Sequence, residues 1–522
     1  MATGETKGSV KYKDIILKSL LVRSGSPAVY QLRPEKEKIE TLRRMTLGEK
    51  DPKKTNRTIL LVGETGTGKS TLINTLVNYT MGVKWEDDVW FQIVEEKKRR
   101  QSESQTSNVI VYQIFGFEGK TLPYSLTIID TPGYGDTRGI ERDAAVSERL
   151  LECFCSPDGV HEINAVGLVL KASDNRLSDR LRYVFDSVVS LFGKDMEQNI
   201  VALFTHSDGL TPENALTALK GANIKCAKDE KKQPVNFLFD NNQQKERTED
   251  TEDVLEFAFK RTTKGLKKFT DFLEKTKPQK LKTTVEVLKE RIRLKACIPN
   301  LKDRIQLTEL KQREIKQTTD ALKKHKEEMK NEANFTIEFD EAYKVKQKVH
   351  EGNWYALWLN SEGANCCTVC EENCHYPGCT LALKPEHCEV IKNGYCTVCT
   401  GKCSVSVHVT KNWRYVTKTR RVKKTLHGVK RNYENKKSDF ESLLTDLKKK
   451  MKELEKERDD MFEETFQHVV KLEQIALKVD SASTLENLDF LIKKMREKGD
   501  TEKIQKLEEM KSRVGERTRA AM

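Results

Sequence analysis

The chain contains no long hydrophobic run. Nothing in it reaches the ~18 apolar residues of a membrane-spanning helix, and no apolar stretch behind Met1 leads to a small-residue cleavage site. Those two absences exclude a transmembrane helical protein and a cleaved secretory leader as readings, and the expected location is cytoplasmic. Glycine is missing from Leu281 to Val349, where Lys, Glu, Gln and Leu dominate. Acidic residues are missing from Val390 to Tyr433, a window that holds eleven Lys and Arg and carries most of the net charge of +13. At 522 residues the chain is too long for a single core, so two to four structural units are expected.

Among the features present, the most informative is the run Gly63-Glu64-Thr65-Gly66-Thr67-Gly68-Lys69-Ser70-Thr71. An apolar strand, Thr58–Val62, precedes it and a helical pattern from Leu72 follows. In that setting G-x-x-x-x-G-K-[ST] is a phosphate-binding loop: glycines let backbone N–H groups turn inward, and a helix N-terminus adds partial positive charge. Lys69 then reaches the β- and γ-phosphates, and Ser70 offers a hydroxyl oxygen to Mg²⁺.

Further candidates follow in order. Asp130-Thr131-Pro132-Gly133 ends the strand Ser125–Asp130. An acid there suits the Mg²⁺ shell, and the Gly133 N–H suits a γ-phosphate. Thr106, with Ser107 as the alternative, precedes the strand Val109–Phe115 and suits a switch position closing over Mg²⁺. The strand Asn199–Phe204 runs into Thr205-His206-Ser207-Asp208. A carboxylate at Asp208 accepts from the N1–H and N2–H₂ of guanine and is repelled by the acceptor N1 of adenine. His206 is placed to stack on the base, and Asn241, after Val235–Phe239, to reach the purine edge. The ordered set favours GTP over ATP. Lys69, Thr106 and Gly133 are the groups expected to act on the γ-phosphate, with Mg²⁺ held by Ser70, Thr106 and Asp130.

Taken together, Gly63–Thr71, Thr106, Asp130–Gly133, Thr205–Asp208 and Phe239–Asn241 resemble the septin/Toc/GIMAP-type (immunity-associated nucleotide-binding) GTPases. The likeness covers about Asn56–Lys275, and the T-H-x-D form is closest to the Toc and immunity-associated branches. The resemblance implies nucleotide roles for Lys69, Ser70, Thr106, Asp130, Gly133, Asp208 and Asn241. It also implies an α/β GTPase domain with a mostly parallel sheet, and pairing of such domains near the nucleotide. One departure stands out. Tyr134 follows Gly133 where Ras-like enzymes carry a water-orienting glutamine. Slow hydrolysis, or a group supplied by a second subunit, is therefore expected; Arg138 and Arg176 are read as solvated rather than as charge stabilisers.

Nine of the 13 cysteines crowd into Cys366–Cys403. Two segments share one spacing, Cys367-x₂-Cys370-x₃-Cys374 and Cys396-x₂-Cys399-x₃-Cys403. A C-x₂-C turn brings two thiolates to one tetrahedral ion, and the repeat supplies the other pair. With His375, Cys379, Cys388 and His408 (and His387) as further donors there is enough for two structural Zn²⁺ ions, in a pairing left open; Cys366 is read as a spare. The acid-free window is read first as compensation for thiolate charge, and second as a surface for acidic lipid or nucleic acid.

The expected organisation is a polar extension over 1–55, the GTPase domain over 56–276, a charged helical or coiled-coil segment over 277–349, a zinc module over 350–425, and a second helical or coiled-coil segment over 426–522. The heptads Phe440, Leu444, Leu447, Met451, Leu454 and Met461 suggest an antiparallel helical hairpin with the cysteine knot at its turn, or a contact between chains. The expected function is a slow GTPase acting as a switch or assembly protein and self-associating through the GTPase domain or the helices. The alternatives are a GTP-binding scaffold and a nucleotide-gated zinc protein.

Overall fold

The computed structural model describes residues 11–39, 42–95, 109–131, 149–156, 158–174, 179–324, 334–349, 363–376, 384–427, 433–478 and 482–512. The chain forms two compact units. The first comprises Met1–Leu288, Ile475–Leu488 and Thr501–Met522; the second comprises Lys289–Gln474 and Asp489–Asp500.

Strands β1 (Leu20–Arg23), β2 (Ala28–Gln31), β3 (Glu35–Ile39), β4 (Leu42–Leu47), β5 (Asn56–Val62), β6 (Val89–Gln92), β7 (Ile110–Ile114), β8 (Ser125–Asp130), β9 (Glu162–Ile163), β10 (Ala165–Lys171), β11 (Ile200–Thr205), β12 (Asn236–Leu238) and β13 (Gln279–Lys280) belong to the first unit. Eight of them form one sheet in the order β12-β11-β10-β5-β8-β7-β4-β3. From β12 to β8 every pairing is parallel; β7 runs antiparallel to β8, and β3 to β4. The central strands are nearly continuous apolar runs because helices cover both faces. Ile59, Leu61, Val169, Val201 and Leu203 are buried with Leu72, Ile73 and Leu76 of helix Lys69–Met81 and with Leu266, Phe269 and Leu273 of helix Glu252–Lys275.

Within 1–55, expected to form a polar extension, the described residues 35–39 and 42–47 instead build part of this sheet. Strand β4 pairs in parallel with β7, and β3 forms the edge. Their composition hid them. Glu-Lys-Glu-Lys-Ile and Leu-Arg-Arg-Met-Thr-Leu carry the charges that keep an edge strand from pairing with another chain, leaving few apolar anchors such as Met45.

In the second unit, helix Lys282–Lys324 from Lys289 onward and helix Tyr433–Ile475 as far as Gln474 align antiparallel. Glu290 meets His468 at 2.7 Å and Lys471 at 2.8 Å, Arg304 meets Glu457 at 3.1 Å, and Gln312 meets Glu455 at 3.4 Å. The expected hairpin is present, but two of its features need correction. Residues 334–348, expected to be helical, form β14 (Asn334–Lys348), paired along its whole length with β20 (Trp413–His427). The alternation Phe335, Ile337, Phe339, then Tyr343, Val345, has the period of a strand.

That ribbon also moves the cysteine knot. Fifteen strand residues carry the chain back by about 50 Å. Gln317 bonds Asp340 and, one stretch further on, Asp303 meets Asn373. The knot therefore packs beside Ala296, Cys297 and Asn300 in the body of the helix, not at the hairpin's turn. The knot itself is a small sheet of β15 (Ala364–Cys367), β16 (Glu372–His375) and β19 (His408–Lys411), with the hairpin β17 (Ile391–Lys392) and β18 (Tyr395–Cys396). Within 426–522, expected to be helical, helices Ala482–Lys498 and Thr501–Ser512 follow helix Tyr433–Ile475 and end the described chain.

Candidate nucleotide site and cysteine centre

Strand β5 ends at Val62 with every residue from Thr58 buried, and the chain turns at once into helix Lys69–Met81. Gly63 cannot carry a side chain, since a Cβ there would lie 2.4 Å from the Val169 carbonyl oxygen. Gly66 and Gly68 adopt φ of +85° and +87°, the left-handed region where glycine is unstrained. Thr67 Oγ1 donates to the Glu64 carbonyl at 2.8 Å and closes the turn. Lys69 is buried at the head of the helix, its Nζ donating to the carbonyls of Gly63 at 2.6 Å and Glu64 at 3.0 Å. Burial lowers its pKa to about 8, with the charges of Asp130 and Glu64 opposing. A desolvated ammonium beside a helix N-terminus gains strongly from an anion.

Asp130 ends β8 beside Leu61 of β5 and is buried; Thr131 Oγ1 donates to the Leu61 carbonyl at 2.9 Å. Ser70 and Asp130 thus offer hard oxygen donors on adjacent elements, a donor type that suits Mg²⁺. Thr106 and Ser107, Gly133 and Tyr134, Arg138 and Arg176 lie outside the described residues.

On the other side of the loop, Thr205 is the last residue of β11 and is buried. Its Oγ1 donates to the Thr67 carbonyl at 2.6 Å and lies 3.3 Å from that of Leu170. His206 turns the chain with φ of +52°, its Nδ1 3.1 Å from Thr205 Oγ1. Desolvation and the Lys171 ammonium lower the His206 pKa, so its ring is neutral near pH 7. Asp208 is exposed; its Oδ1 accepts from Leu210 N at 2.8 Å, an Asx turn that orients the carboxylate. Ser207 N donates to the Phe239 carbonyl at 3.0 Å, which joins this loop to the one after β12. Both amide atoms of Asn241 are buried without a hydrogen-bond partner, which makes that side chain a ready reader of a polar ring edge.

Two supports lie beyond the sequence reading. One is the Thr67–Thr205 bond. The other is helix Glu252–Lys275, where Arg261 bonds Asp240 Oδ2 at 2.5 Å and Thr262 Oγ1 exchanges bonds with the Asp240 backbone at 2.9 and 2.8 Å. Only the alternating polar face of that helix hinted at the second, because such ties follow no motif spacing.

The described cysteines are free of disulfides. Two sets of donors gather: Cys367, Cys370, Cys399 and Cys403, and Cys374, Cys396, Cys399 and His408, the ligand atoms within each lying within 4.8 Å of one another. His375 and Cys388, expected among the ligands, stand outside both sets and face each other at 3.3 Å, His375 at the end of β16 and Cys388 after the turn Pro385–His387. Cys379 lies outside the described residues. Cys366 is buried, its Sγ 3.5 Å from Asn373 Oδ1. The buried carboxylate of Glu372 fastens the knot to the helix: it accepts from Thr400 N at 2.8 Å and Asn300 Nδ2 at 3.1 Å, and pairs with Arg304.

No curated protein sequence matches the chain. Solved structures similar to it include Toc33 from Arabidopsis thaliana in complex with GDP and Mg²⁺, at 18% identity and a TM-score of 0.29, covering 43% of this chain and 87% of that one. Toc33 from the same plant with Mg²⁺ and GMPPNP shows 17% identity and a TM-score of 0.30, over 43% and 88% of the two chains. Residues 57–260 match the AIG1 family. The chain carries an AIG1-family domain of the P-loop GTPase type, and the candidate nucleotide residues of the loop, of β8, β11 and the turn after β12 all fall within it.

Proposed function

We propose that the chain is a guanine-nucleotide-binding GTPase, slow on its own, that works as a nucleotide-dependent switch or assembly protein. The observation that carries this reading is the bond from Thr205 to Thr67, which joins the strand end leading to Asp208 to the loop whose carbonyls hold Lys69; the Asx turn of Asp208 and the unpartnered amide of Asn241 support it. Lys69 would clamp the phosphates, and Asp208 and Asn241 would read guanine. Ser70 and Asp130, with Thr106, would hold Mg²⁺, which when bound neutralises charge on the β- and γ-phosphates. Gly133 would orient the γ-phosphate, and Tyr134 in the glutamine position supports a low intrinsic rate. Competition against a fluorescent GTP analogue, together with phosphate release by wild type and Lys69→Ala, tests the reading. Equal displacement by GDP and ADP, or undiminished turnover in Lys69→Ala, would refute it.

The cysteine knot is read as a structural zinc module, since closed sulfur-rich sets leave no open position for substrate. Nucleic acid and acidic lipid are the weaker partners. On the basic ribbon Glu341 pairs with Arg420 at 2.7 Å, and Glu338 with Arg421 and Lys423 at 3.2 and 2.7 Å, so part of its charge is compensated internally. A cytoplasmic location is part of the proposal; among the described residues no helix is long and apolar enough to cross a membrane.

A further inference from the structure

The two donor sets of the cysteine knot overlap in one residue. Cys367, Cys370 and Cys403 belong to one, Cys374, Cys396 and His408 to the other, and Cys399 to both. Two separate tetrahedra need eight vertices, and these residues supply seven donors. We propose that the knot holds a binuclear zinc cluster in which the Cys399 thiolate bridges the two ions. The proposal rests on the zinc reading above and adds the partition and the shared ligand.

The repeat explains how the sharing arises. In the first arm, Cys367 and Cys370 serve one ion and Cys374 the other; in the second, Cys396 and Cys403 serve opposite ions with Cys399 between them in sequence and in space. Each arm is thus split, and the two ions cross-brace the arms. The Cys370–Cys403 sulfur separation of 3.6 Å is close to the about 3.8 Å edge of a tetrahedron built on Zn–S bonds.

The surroundings fit metal-bound thiolates rather than thiols. Backbone N–H groups point at the sulfurs: Cys370 N at Cys367 Sγ (3.4 Å), Gly401 N at Cys370 Sγ (3.3 Å), and Val398 N and Cys399 N at Cys396 Sγ (3.3 Å each). A thiolate bonded to carbon and to two metals retains one lone pair, and at Cys399 the Cys403 N–H engages it at 3.3 Å. His408 supplies the most specific sign. Its Nδ1 lies 2.9 Å from the Ser404 carbonyl, which requires a proton on Nδ1. That leaves Nε2 as the bare donor atom, and Nε2 is buried with no hydrogen-bond partner. A histidine fixed by a carbonyl on one nitrogen and bare on the other is the usual state of a zinc ligand.

Charge favours sharing as well. Six thiolates, a neutral imidazole and two divalent ions leave two net negative charges, one fewer than a Cys₄ and a Cys₃His site built separately. Lys344, whose Nζ donates to the Glu371 carbonyl at 2.6 Å, places an ammonium beside the first arm.

The test uses the full chain produced in zinc- or cobalt-supplemented medium, with metal content measured by mass spectrometry. Two metals per chain are expected. In the cobalt protein the bridge couples the two ions antiferromagnetically, so the electron paramagnetic resonance intensity per cobalt should fall at least twofold below that of Cys403→Ser, which should retain one ion. Two metals with full, additive intensity would overturn the bridge while leaving the zinc reading intact, as would one metal per wild-type chain. A chain that holds no metal would overturn both.

Discussion

The hydroxyl of Thr205 donates to the main-chain carbonyl of Thr67 across 2.6 Å, tying the end of the strand that leads to the base motif to the middle of the phosphate loop. Both residues are buried, so the bond is shielded from water. It makes the two halves of the candidate nucleotide site a single mechanical unit, although they are far apart in the chain.

Replacing Thr205 with Val should therefore act on nucleotide binding as well as on stability. The change leaves the buried Thr67 carbonyl without its donor, at a cost of about 1–3 kcal/mol. Thermal melting should show that loss, and titration with a fluorescent GTP analogue should show affinity lowered roughly tenfold. Thr205→Ser keeps the hydroxyl and should stay near wild type in both. Equal affinity in Thr205→Val and wild type would mean that the loop holds its shape without the tie.

Guanine reading by Asp208 predicts a change of specificity rather than a simple loss. An amide at 208 complements the exchanged edge of xanthine, so Asp208→Asn should bind xanthosine nucleotides better than guanosine ones. Asn241→Leu should weaken GTP by about 1–3 kcal/mol if its amide bonds the purine, because the base would bury a polar edge unpaired. Competition titrations with guanosine, xanthosine and adenosine diphosphates read both outcomes. Unchanged preference in Asp208→Asn would assign the base to other residues.

Glu290 predicts an acid-sensitive helical hairpin. Burial raises its pKa, but hydrogen bonds from His468 and Lys471 and the charges of His468 and Arg293 outweigh that and hold it down to about 2. A carboxylate with a depressed folded-state pKa stabilises the fold fully above its unfolded value near 4.5, and that stability is lost as pH falls toward 2. The gap corresponds to about 3 kcal/mol. Glu290→Gln should lower stability at pH 7 and remove this acid sensitivity, read by helical circular dichroism during denaturant titrations at several pH values. Parallel pH profiles in the two proteins would show that Glu290 makes no such contribution.

Sequence patterns revealed the elements that obey a period or carry chemistry. The strands around Ile59, Ile128, Val169 and Leu203 were legible because a sheet covered on both faces leaves unbroken apolar runs. The edge strand Glu35–Ile39 and its neighbour Leu42–Leu47 were not, since their charges look like a solvated segment until β7 is known to lie beside Leu42–Leu47. The ribbon Asn334–Lys348 was legible in principle, through Phe335, Ile337 and Phe339, but its alternation sits next to forty helical residues of the same charged composition. The cysteine spacing announced the knot, whereas the choice of His408 over His375 depends on which imidazole the folded chain brings to Cys374, Cys396 and Cys399. Such contacts are set by tertiary packing and leave no spacing in the chain.

The rate of hydrolysis should depend on protein concentration. With Tyr134 in the place of a water-orienting amide, the isolated chain should turn over in the slow intrinsic range, on the order of 10⁻⁴ to 10⁻² s⁻¹. A second copy facing the nucleotide can supply the missing group, as an arginine or polar side chain does when provided in trans. Part of the apolar stripe of helix Tyr433–Ile475 is already used within one chain. Met461, Phe462, Phe466, Val469 and Leu472 are already buried within one chain, where Glu290 and Arg304 add intrachain ion pairs. Association is therefore expected through the nucleotide domain. Turnover per molecule, measured at saturating GTP over a hundredfold range of protein, should rise, and light scattering should show dimers with GTP that are scarcer with GDP. Asp208→Asn should lose the rise with GTP and recover it with xanthosine triphosphate, which separates a nucleotide-driven contact from a permanent one. A flat specific rate with monomers throughout would leave activation to a different protein.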